Sequence, residues 1–512
     1  MPEPVVLGPD GASVHQVVAV ARDGRPVAVH PTAVAALERS HHIATSLIAG
    51  DTAVYGLSTG FGALAERYIE PDQRAALQIG LVRSHAATVG AEVEPEVVRA
   101  MMLLRAATLA KGYSGIRPEL VDALIGLLNH GITPVVREHG SLGCSGDLAP
   151  LAHVALTLTG EGEVIDTAGQ RLAAAGALKA AGLTPLVLEA KEGLALTNGT
   201  DGMLGMLCLA CVDIHALLQA ADVTAAMSVE ALLGTDRAFL PELSALRPHP
   251  GQAAAAANML GVLAGSAIVA SHQTGDPRVQ DAYSLRCAPQ VLGAARDTLA
   301  HAWAVVDREL ASAIDNPVLL PDGRVASCGN FHGAPLGYVA DFLAIALADG
   351  ASIAERRIDR HLDPARSHGL PAFLAADPGV DSGLMLAQYS AAALVADCRR
   401  LAVPASVDSI PTSAMQEDHV SMGWAAARKL RQVIDNLTRV VAIELITAAR
   451  AVELRQPLQP APATAEVIAG LRQLVPGVGP DRYLAPEIDH ATDLVRSGKI
   501  VARAESVTGP LR

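Results

Sequence analysis

Long apolar stretches fill the chain from residue 201 onward, and they constrain the fold more than any other feature of the sequence. Hydrophobic residues make up 50% of the chain and aromatic residues only 3%. The core must therefore be assembled from Ala, Leu and Val, a composition that suits close-packed helices better than sheets. Stretches of this length indicate a helix bundle. The predicted long helices cover residues 203–233, 253–273, 288–314, 337–360, 383–401 and 422–452.

The first 200 residues have a more mixed pattern. Short β-branched runs on either side of turn residues such as Gly24 predict two β-hairpins. The predicted strands are residues 17–20 paired with 27–29, and 163–165 paired with 170–172. Helices are predicted from Thr32 and over residues 95–110. We expect a mainly α protein, with a smaller mixed N-terminal domain over residues 1–200 and a long-helix bundle domain over residues 201–512.

Charge and cysteine usage argue against several classes of protein. The net charge of −14 argues against a nucleic-acid surface. The first residues lack the basic start and apolar stretch of a secretory signal, so we expect a cytoplasmic protein. Residues 253–270 are apolar but Ala-rich and interrupted by polar residues, which favours a buried helix and no membrane span. Cys208 and Cys211 form a lone pair without the second pair of a zinc site, so no metal is expected.

The stretch with the most unusual chemistry is Gly-Ser-Leu-Gly-Cys-Ser-Gly-Asp-Leu-Ala-Pro, residues 140–150. Gly146 has no Cβ, so its amide nitrogen can fold back onto the carbonyl carbon of Cys144 and close a five-membered ring. Loss of one water from the ring and one from the Ser145 side chain then leaves a methylidene group conjugated to an imidazolone. The product is an electrophile built from backbone.

Two other interpretations of this stretch remain open. A Gly-rich turn followed by Ser-Gly-Asp and an apolar run is also an ordinary loop that leads into a capped helix. A serine hydrolase could use an intact Ser145, but residues 143–147 lack the second glycine of a nucleophile elbow. Polar motifs elsewhere in the chain decide between these interpretations.

The stretch resembles the cyclising loop of the aromatic amino acid ammonia-lyases, and matching segments extend from about Tyr55 to Met422. The usual triad in that family is Ala-Ser-Gly. Here Cys144 takes the first position, where only the carbonyl enters the ring, so the change should not prevent cyclisation. The resemblance implies a 4-methylidene-imidazol-5-one formed from Cys144, Ser145 and Gly146, with no diffusible cofactor. It also implies a homotetramer whose active sites draw residues from several chains.

The resemblance assigns catalytic roles to residues that are spread along the chain. It makes Tyr55 the base for the β-proton, a role that needs surroundings that stabilise phenolate because the ordinary pKa of tyrosine is near ~10. Asn198 and Tyr283 would support the electrophile as an oxyanion hole supports developing charge. The catalytic set that the resemblance implies is Tyr55, Cys144, Ser145, Gly146, Asn198, Tyr283 and Glu417.

A second set would bind the substrate. The planar fork of Arg286 can hold a carboxylate through two parallel hydrogen bonds, and Asn316 would add a further contact. His85 and Glu417 are, by resemblance, the residues that face the ring of the amino acid. The substrate-binding set that the resemblance implies is His85, Gln280, Arg286, Asn316, Phe331 and Gln416.

Both ring-facing positions are polar here, which bears on the substrate. A phenyl ring would leave His85 and Glu417 unpaired in a closed pocket, at a cost of about 1–3 kcal/mol for each unsatisfied group. An imidazole has two ring nitrogens that satisfy them. We therefore expect elimination of ammonia from L-histidine to give trans-urocanate, the first step of histidine degradation. The alternatives are a lyase or aminomutase for tyrosine or phenylalanine on the same scaffold and, more remotely, a serine hydrolase.

The cyclisation hypothesis predicts the mass of the mature chain. The purified protein should be lighter than its sequence by two waters, because ring closure and dehydration each release one. Intact mass spectrometry followed by peptide mapping should localise the deficit to the peptide that contains Cys144, Ser145 and Gly146. An unmodified peptide in active enzyme would refute the hypothesis.

Overall fold

Helices make up most of the chain in the computed structural model, which describes residues 3–48, 55–56 and 58–512. The mainly α fold is therefore confirmed. Several helix boundaries follow from local chemistry. Pro95 and Pro118 each open a helix at the first position, where the missing N–H has no partner to lose. The Ser13 side chain accepts from the Gln16 amide, and Gly24 ends the same helix in the left-handed region.

The helices of the first half of the chain are mostly short. They are α1 Val14–Asp23, α2 Pro31–Ile48, α3 Arg74–His85, α4 Pro95–Ala110, α5 Pro118–Asn129, α6 Leu148–Leu158, α7 Ala174–Ala180 and α8 Glu192–Thr197. Those that follow include the long ones. They are α9 Asp201–Ala231, α10 Pro241–Leu246, α11 Pro250–Leu263, α12 Ala267–Ala270, α13 Tyr283–Arg286, α14 Ala288–Ala311, α15 Ala334–Leu362, α16 Met385–Leu401, α17 Gly423–Glu453, α18 Pro462–Leu471, α19 Ala485–Arg496 and α20 Lys499–Thr508.

The strands in the described residues are two to four residues long and form small sheets. They are β1 Val5–Leu7, β2 Val27–Val29, β3 Val89–Glu92, β4 Thr133–Pro134, β5 Arg137–His139, β6 Glu163–Ile165, β7 Arg171–Ala173, β8 Val318–Leu319 and β9 Val325–Ala326. β1 and β2 pair in parallel, with Val6 opposite Ala28. β3 pairs with β5, β4 with β6, β6 with β7, and β8 with β9, all antiparallel. Strands this short position loops and do not form a separate layer.

The first predicted hairpin is wrong, and the second is confirmed. Residues 17–20 lie in α1, where Ser13 and Gln16 form a capping box and the buried side chains include Val14, Val17 and Ala21, on one helical face. The β-branched content of this run suggested a strand, but the helical spacing and the cap prevail. The second hairpin forms as β6 and β7, with Val164 opposite Leu172.

Five of the six long helices are confirmed, with ends within three residues of the prediction, and α4 matches residues 95–110. The predicted helix over residues 253–273 is instead broken into α11 and α12. The break falls at Gly265, whose φ of +81° ends one helix, and at Ser266, whose side chain caps the next by accepting from Val269 N at 3.0 Å. α9 and α15 are long and apolar enough to cross a membrane, but 72% and 61% of their apolar windows are buried, as in core helices.

The chain divides into two compact units. Unit 1 comprises Met1–Leu209, Trp303–Asp341 and Pro404–Arg428, and unit 2 comprises Ala210–Ala302, Phe342–Val403 and Lys429–Arg512. The predicted domain boundary at residue 200 stays a prediction.

In unit 1 the fully buried Arg105 on α4 organises the residues around it. Its guanidinium donates to the carbonyls of Asn198 at 2.8 Å and Ile314 at 2.9 Å, and lies 3.3 Å from Asp201. One side chain thus fixes the end of α8, the start of α9 and the segment that follows α14.

Unit 2 has a buried ion pair at its core. Arg357 on α15 and Glu444 on α17 are both fully buried, and Arg357 Nη2 donates to Glu444 Oε2 at 2.9 Å. Ser228 and Thr224 on α9 donate to the two oxygens of the same carboxylate, at 2.7 and 3.0 Å. Within this cluster the buried charges of Arg357 and Glu444 compensate each other, and the cluster links three long helices.

Breaking this pair should destabilise the protein. Glu444→Gln leaves the Arg357 charge uncompensated in the interior, which costs about 3–5 kcal/mol. The urea midpoint, followed by circular dichroism, should fall clearly. Asp322→Asn, which removes an exposed partner of Arg324, is the control and should leave the midpoint in place. Equal midpoints for the two variants would contradict a structural role for the buried pair.

Candidate active site

The cyclising loop lies between β5 and α6 in unit 1 and is held by backbone contacts from distant parts of the sequence. Met422 N donates to the carbonyl of Leu142 at 2.8 Å. The Gly143 carbonyl accepts from Gly333 N at 3.0 Å and from the Ser421 hydroxyl at 2.7 Å. These contacts fix the loop immediately before Cys144, the residue whose carbonyl would be attacked.

Gly146 packs directly against the backbone of Gly199. Its φ is +74°, and a Cβ built on it would lie 2.0 Å from the Gly199 carbonyl oxygen. The next amide, Asp147 N, donates to that same oxygen at 2.7 Å. Only glycine fits both this conformation and this space. The structure therefore satisfies the requirement for glycine that cyclisation places on this position.

Asp147 is a functional candidate that the sequence analysis missed. It is fully buried, and its carboxylate accepts from Ser141 Oγ at 2.8 Å and from the amides of Gly202 and Met203 at 2.8 and 2.9 Å. Burial raises its pKa to about 7, although these hydrogen bonds oppose the rise. Asp147 therefore ties the loop to the first turn of α9. In the sequence it resembles an ordinary helix cap after a glycine.

Glu417 is the polar centre of the site. Its Oε2 accepts from Thr412 Oγ1 at 2.7 Å and from the Cys144 thiol at 3.2 Å. Its Oε1 accepts from Ser145 Oγ at 3.5 Å. The structure thus brings the predicted Glu417 together with the cyclising triad. Thr412, which lies five residues before Glu417, has no motif that could have identified it.

The thiol of Cys144 is in the site and remains protonated. Burial is the main reason that its pKa rises to about 12, and the nearby Glu417 charge and hydrogen bond add to the effect. A protonated thiol is a poor nucleophile but a usable donor. The contact of Ser145 with a carboxylate does not resemble a hydrolase triad, and the described residues provide no histidine that bonds to its hydroxyl.

Tyr55 lies in the same cavity, with its hydroxyl accepting from Gly62 N at 3.0 Å and its ring edge-on to Phe61. Burial raises its pKa, the Gly62 contact opposes the rise, and the Glu417 charge adds to it. The phenol is protonated in this state. Its role as the base stays a prediction.

Asn198 and Asn316 are joined by a short network. Asn198 Nδ2 donates to Asp315 Oδ1 at 3.2 Å and to the Asn316 carbonyl at 3.0 Å. Asp315 is neutralised by Lys191 Nζ at 2.6 Å in a fully buried pair. Asn198 Oδ1 is buried and has no hydrogen-bond partner within the described part of the chain. The network fixes the orientation of Asn198 and leaves its oxygen available.

His85 closes another side of the site at the end of α3. Its Nδ1 lies 3.0 Å from Ser84 Oγ. Burial lowers its pKa, with smaller opposing effects from the Leu81 backbone and Glu417. The ring is therefore neutral at physiological pH and can offer one donor and one acceptor.

These side chains surround one cavity of about 620 Å³ in unit 1. Six residues of the predicted sets line it: Tyr55, His85, Ser145, Asn198, Asn316 and Glu417. Apolar residues complete the wall, among them Phe61, Leu81, Leu148 and Leu194. The volume and the mix of apolar walls with a few polar groups suit a small organic ligand.

Apart from Cys144 and Gly146 of the triad, five predicted residues do not line this cavity. Phe331 is half-buried and Gln416 is exposed, both in unit 1. Gln280, Tyr283 and Arg286 belong to unit 2, where the Arg286 guanidinium lies 4.7 Å from the Tyr283 ring centroid. Tyr283 is 71% exposed. The roles assigned to these five residues stay predictions.

Comparison with known proteins gives consistent results. A family model described as aromatic amino acid lyase matches residues 12–473. Histidine ammonia-lyase of Streptomyces avermitilis is 62% identical over 508 residues, 99% of each chain. Tyrosine aminomutase from Streptomyces globisporus has a TM-score of 0.94 at 38% identity and covers 100% of both chains. Histidine ammonia-lyase from Trypanosoma cruzi has a TM-score of 0.91 at 37% identity, covering 99% of this chain and 96% of that one.

The contact between Gly146 and Gly199 predicts which loop substitutions block cyclisation. Gly146→Ala should yield protein at full sequence mass or no folded protein, because the added methyl group collides with backbone. Cys144→Ala, whose side chain stays outside the ring, is the matched control and should keep the two-water deficit. Intact mass spectrometry of the two variants is the measurement. A folded Gly146→Ala protein that had lost two waters would contradict the packing argument.

Proposed function

We propose that this chain, which belongs to the aromatic amino acid lyase family, eliminates ammonia from L-histidine to give trans-urocanate. The observation that carries the proposal is the position of Glu417 beside Cys144 and Ser145, in the cavity that His85 also lines. A carbon–nitrogen lyase for an amino acid with a polar ring needs both parts, an electrophile at the triad and ring-directed polar groups.

The residues present fit the 4-methylidene-imidazol-5-one that the family implies. Gly146 has the backbone conformation and the restricted space that exclude any side chain. Asn198 lines the same cavity, but its Nδ2 already donates to Asp315 and to the Asn316 carbonyl, so its proposed role as an oxyanion donor requires that one of these hydrogen bonds be released. We infer that the ring forms from Cys144, Ser145 and Gly146 without a diffusible cofactor. When present, the group supplies an electrophilic carbon that turns the substrate amine into a better leaving group.

The side chains of the chain account for the other requirements. The β-proton must be taken up in the cavity, and Tyr55 Oη is the proposed acceptor. It can take up this proton only as the phenolate, a form that burial and the Glu417 charge disfavour and that the Gly62 amide favours. Asn316 lines the cavity as a proposed carboxylate contact.

Glu417 and His85 determine the choice of ring. The carboxylate can accept from an imidazole N–H, and the neutral His85 can donate or accept on another side. A phenyl ring would leave both unpaired, and discrimination based on hydrogen bonding to a polar substrate can reach about 10⁴-fold or more. The relative named for tyrosine aminomutase is 38% identical, whereas the relative named for histidine ammonia-lyase is 62% identical, so the histidine assignment has the stronger support.

The assembly and the location follow as further parts of the proposal. Arg286, Gln280 and Tyr283 are assigned to substrate and electrophile by resemblance, and a homotetramer would supply them from neighbouring copies. Two features support this arrangement: Tyr283 is 71% exposed, and Arg286 is stacked on it. We propose that the tetramer acts in the cytoplasm, with no membrane or nucleic-acid partner.

Substrate specificity tests the proposed function directly. Purified enzyme should deaminate L-histidine and turn over L-phenylalanine and L-tyrosine very poorly, measured as kcat/KM with each amino acid. Glu417→Gln should lower kcat/KM for histidine by at least about tenfold, because a charged acceptor becomes a neutral one. Ser145→Ala, which cannot form the methylidene, sets the background. Equal or higher kcat/KM for tyrosine or phenylalanine would overturn the proposal.

A further inference from the structure

The segment that carries Glu417 is a closed and strained loop. Thr412 N donates to the Glu417 carbonyl at 3.0 Å and Glu417 N donates back to the Thr412 carbonyl at 3.3 Å, an antiparallel pair. Between them Ser413, Ala414 and Met415 have φ values of +51°, +50° and +68°. Three consecutive non-glycine residues in the left-handed region are costly, and such strain persists where the surrounding structure holds it.

The loop is anchored to the segment that contains Tyr55. Ser413 Oγ accepts from Ala63 N at 3.3 Å, next to Gly62, whose amide contacts the Tyr55 hydroxyl. Ser413 and Ala414 line the cavity, whereas Thr412 does not. Any effect of Thr412 on a ligand must therefore pass through another residue.

Thr412 acts on Glu417, and on one oxygen only. Its hydroxyl donates to Oε2 at 2.7 Å, the shortest of the three side-chain contacts that the described part of the chain makes to the carboxylate, and the Cys144 thiol donates to the same oxygen at 3.2 Å. The thiol can act as a donor because burial and the Glu417 charge keep it protonated. Among the residues that the structure describes, Oε1 has a single donor, the Ser145 hydroxyl, at 3.5 Å.

Dehydration of Ser145 changes this balance. The hydroxyl leaves as water when the methylidene forms, so Oε1 loses its donor while Oε2 keeps both. A carboxylate fixed through one oxygen presents the other in a defined direction, here toward a cavity that Glu417 lines.

We propose that Thr412 is a positioning residue that determines specificity: with Cys144 it holds Glu417 by Oε2, so that Oε1 accepts the ring N–H of an imidazole substrate. This rests on the proposed function, because it assumes that an imidazole occupies the cavity. The cysteine that replaces the alanine usual in the family thereby has a role, as the second donor to Oε2.

The test uses two substitutions at one position. Thr412→Val replaces the hydroxyl with a methyl group of similar size, and the extended backbone there, with φ −135° and ψ −179°, suits a β-branched side chain. Thr412→Ser keeps the hydroxyl and is the matched control. Intact mass with the two-water deficit first establishes that each variant has formed its ring.

The readout compares ligands with and without a ring N–H. In Thr412→Val the KM for L-histidine and the inhibition constant of urocanate should rise about tenfold to a hundredfold, while kcat changes by less than about threefold, because a contact made in both ground and transition state is weakened. The inhibition constant of trans-cinnamate, which has a phenyl ring, should not rise. Thr412→Ser should stay within about threefold of wild type throughout.

A purely structural role for Thr412 would give other results. The inference would be overturned if Thr412→Val weakened the binding of urocanate and of trans-cinnamate equally. It would also be overturned if Thr412→Val and Thr412→Ser had equal effects. If Thr412→Val does not cyclise, Cys144→Ala decides the question. The Cys144 thiol is the weaker of the two donors to Oε2, so its loss should raise the inhibition constant of urocanate about two- to fivefold and leave that of trans-cinnamate unchanged. An unchanged ratio of these two inhibition constants would overturn the inference.

The two proposals fail in distinguishable ways. Wild-type enzyme that does not deaminate histidine refutes the proposed function. Wild-type enzyme that deaminates histidine, while Thr412→Val retains the wild-type preference for urocanate over cinnamate, refutes the role of Thr412 alone.

Discussion

The close approach of Gly146 to Gly199 is the constraint on which the site depends. A single added carbon at Gly146 would lie 2.0 Å from the Gly199 carbonyl oxygen, so the loop and the turn before α9 are in backbone contact. Asp147 secures both sides by donating its amide to Gly199 and accepting from the first amides of α9. Because Asn198 precedes Gly199, the same contact brings Asn198 beside the triad. The buried Arg105 holds the Asn198 carbonyl from the other direction.

Electrostatics in the cavity favour neutral groups around one carboxylate. Burial lowers the pKa of His85 and raises those of Tyr55 and Cys144, so imidazole, phenol and thiol all lack charge at neutral pH. Within the described residues, Glu417 accepts hydrogen bonds from neutral donors, the Thr412 hydroxyl, the Cys144 thiol and the Ser145 hydroxyl. An acceptor of this kind suits a ligand that brings an N–H of its own. The ion pair of Lys191 with Asp315 keeps other charge close to the site but neutralised.

Sequence reasoning predicted the parts of this protein that depend on local patterns. Apolar spacing predicted α4 and most of the long helices. The β-branched content of residues 17–20 predicted a strand, but the Ser13 cap begins a helix that includes them. The resemblance to the ammonia-lyases, not a local pattern, predicted six residues that line one cavity. Thr412 and Asp147 were missed because their roles arise from a left-handed turn and a long-range backbone contact, neither of which leaves a periodic signal. The residues that Tyr283 and Arg286 contact in an active site could not be predicted from one sequence, because in the proposed tetramer each active site would contain residues of several chains.

The central claim is that Ser145 becomes an electrophilic carbon at which histidine reacts, and chemical trapping tests it most directly. Active enzyme is treated with sodium borodeuteride, with and without L-histidine, and then digested and mapped by mass spectrometry. The account predicts that hydride adds to the carbon derived from Ser145, with a proton completing the reduction. One deuterium should therefore appear in the peptide that contains Cys144, Ser145 and Gly146, activity should fall in proportion, and histidine should protect. Full activity after treatment, or loss of activity without label in that peptide, would contradict the account.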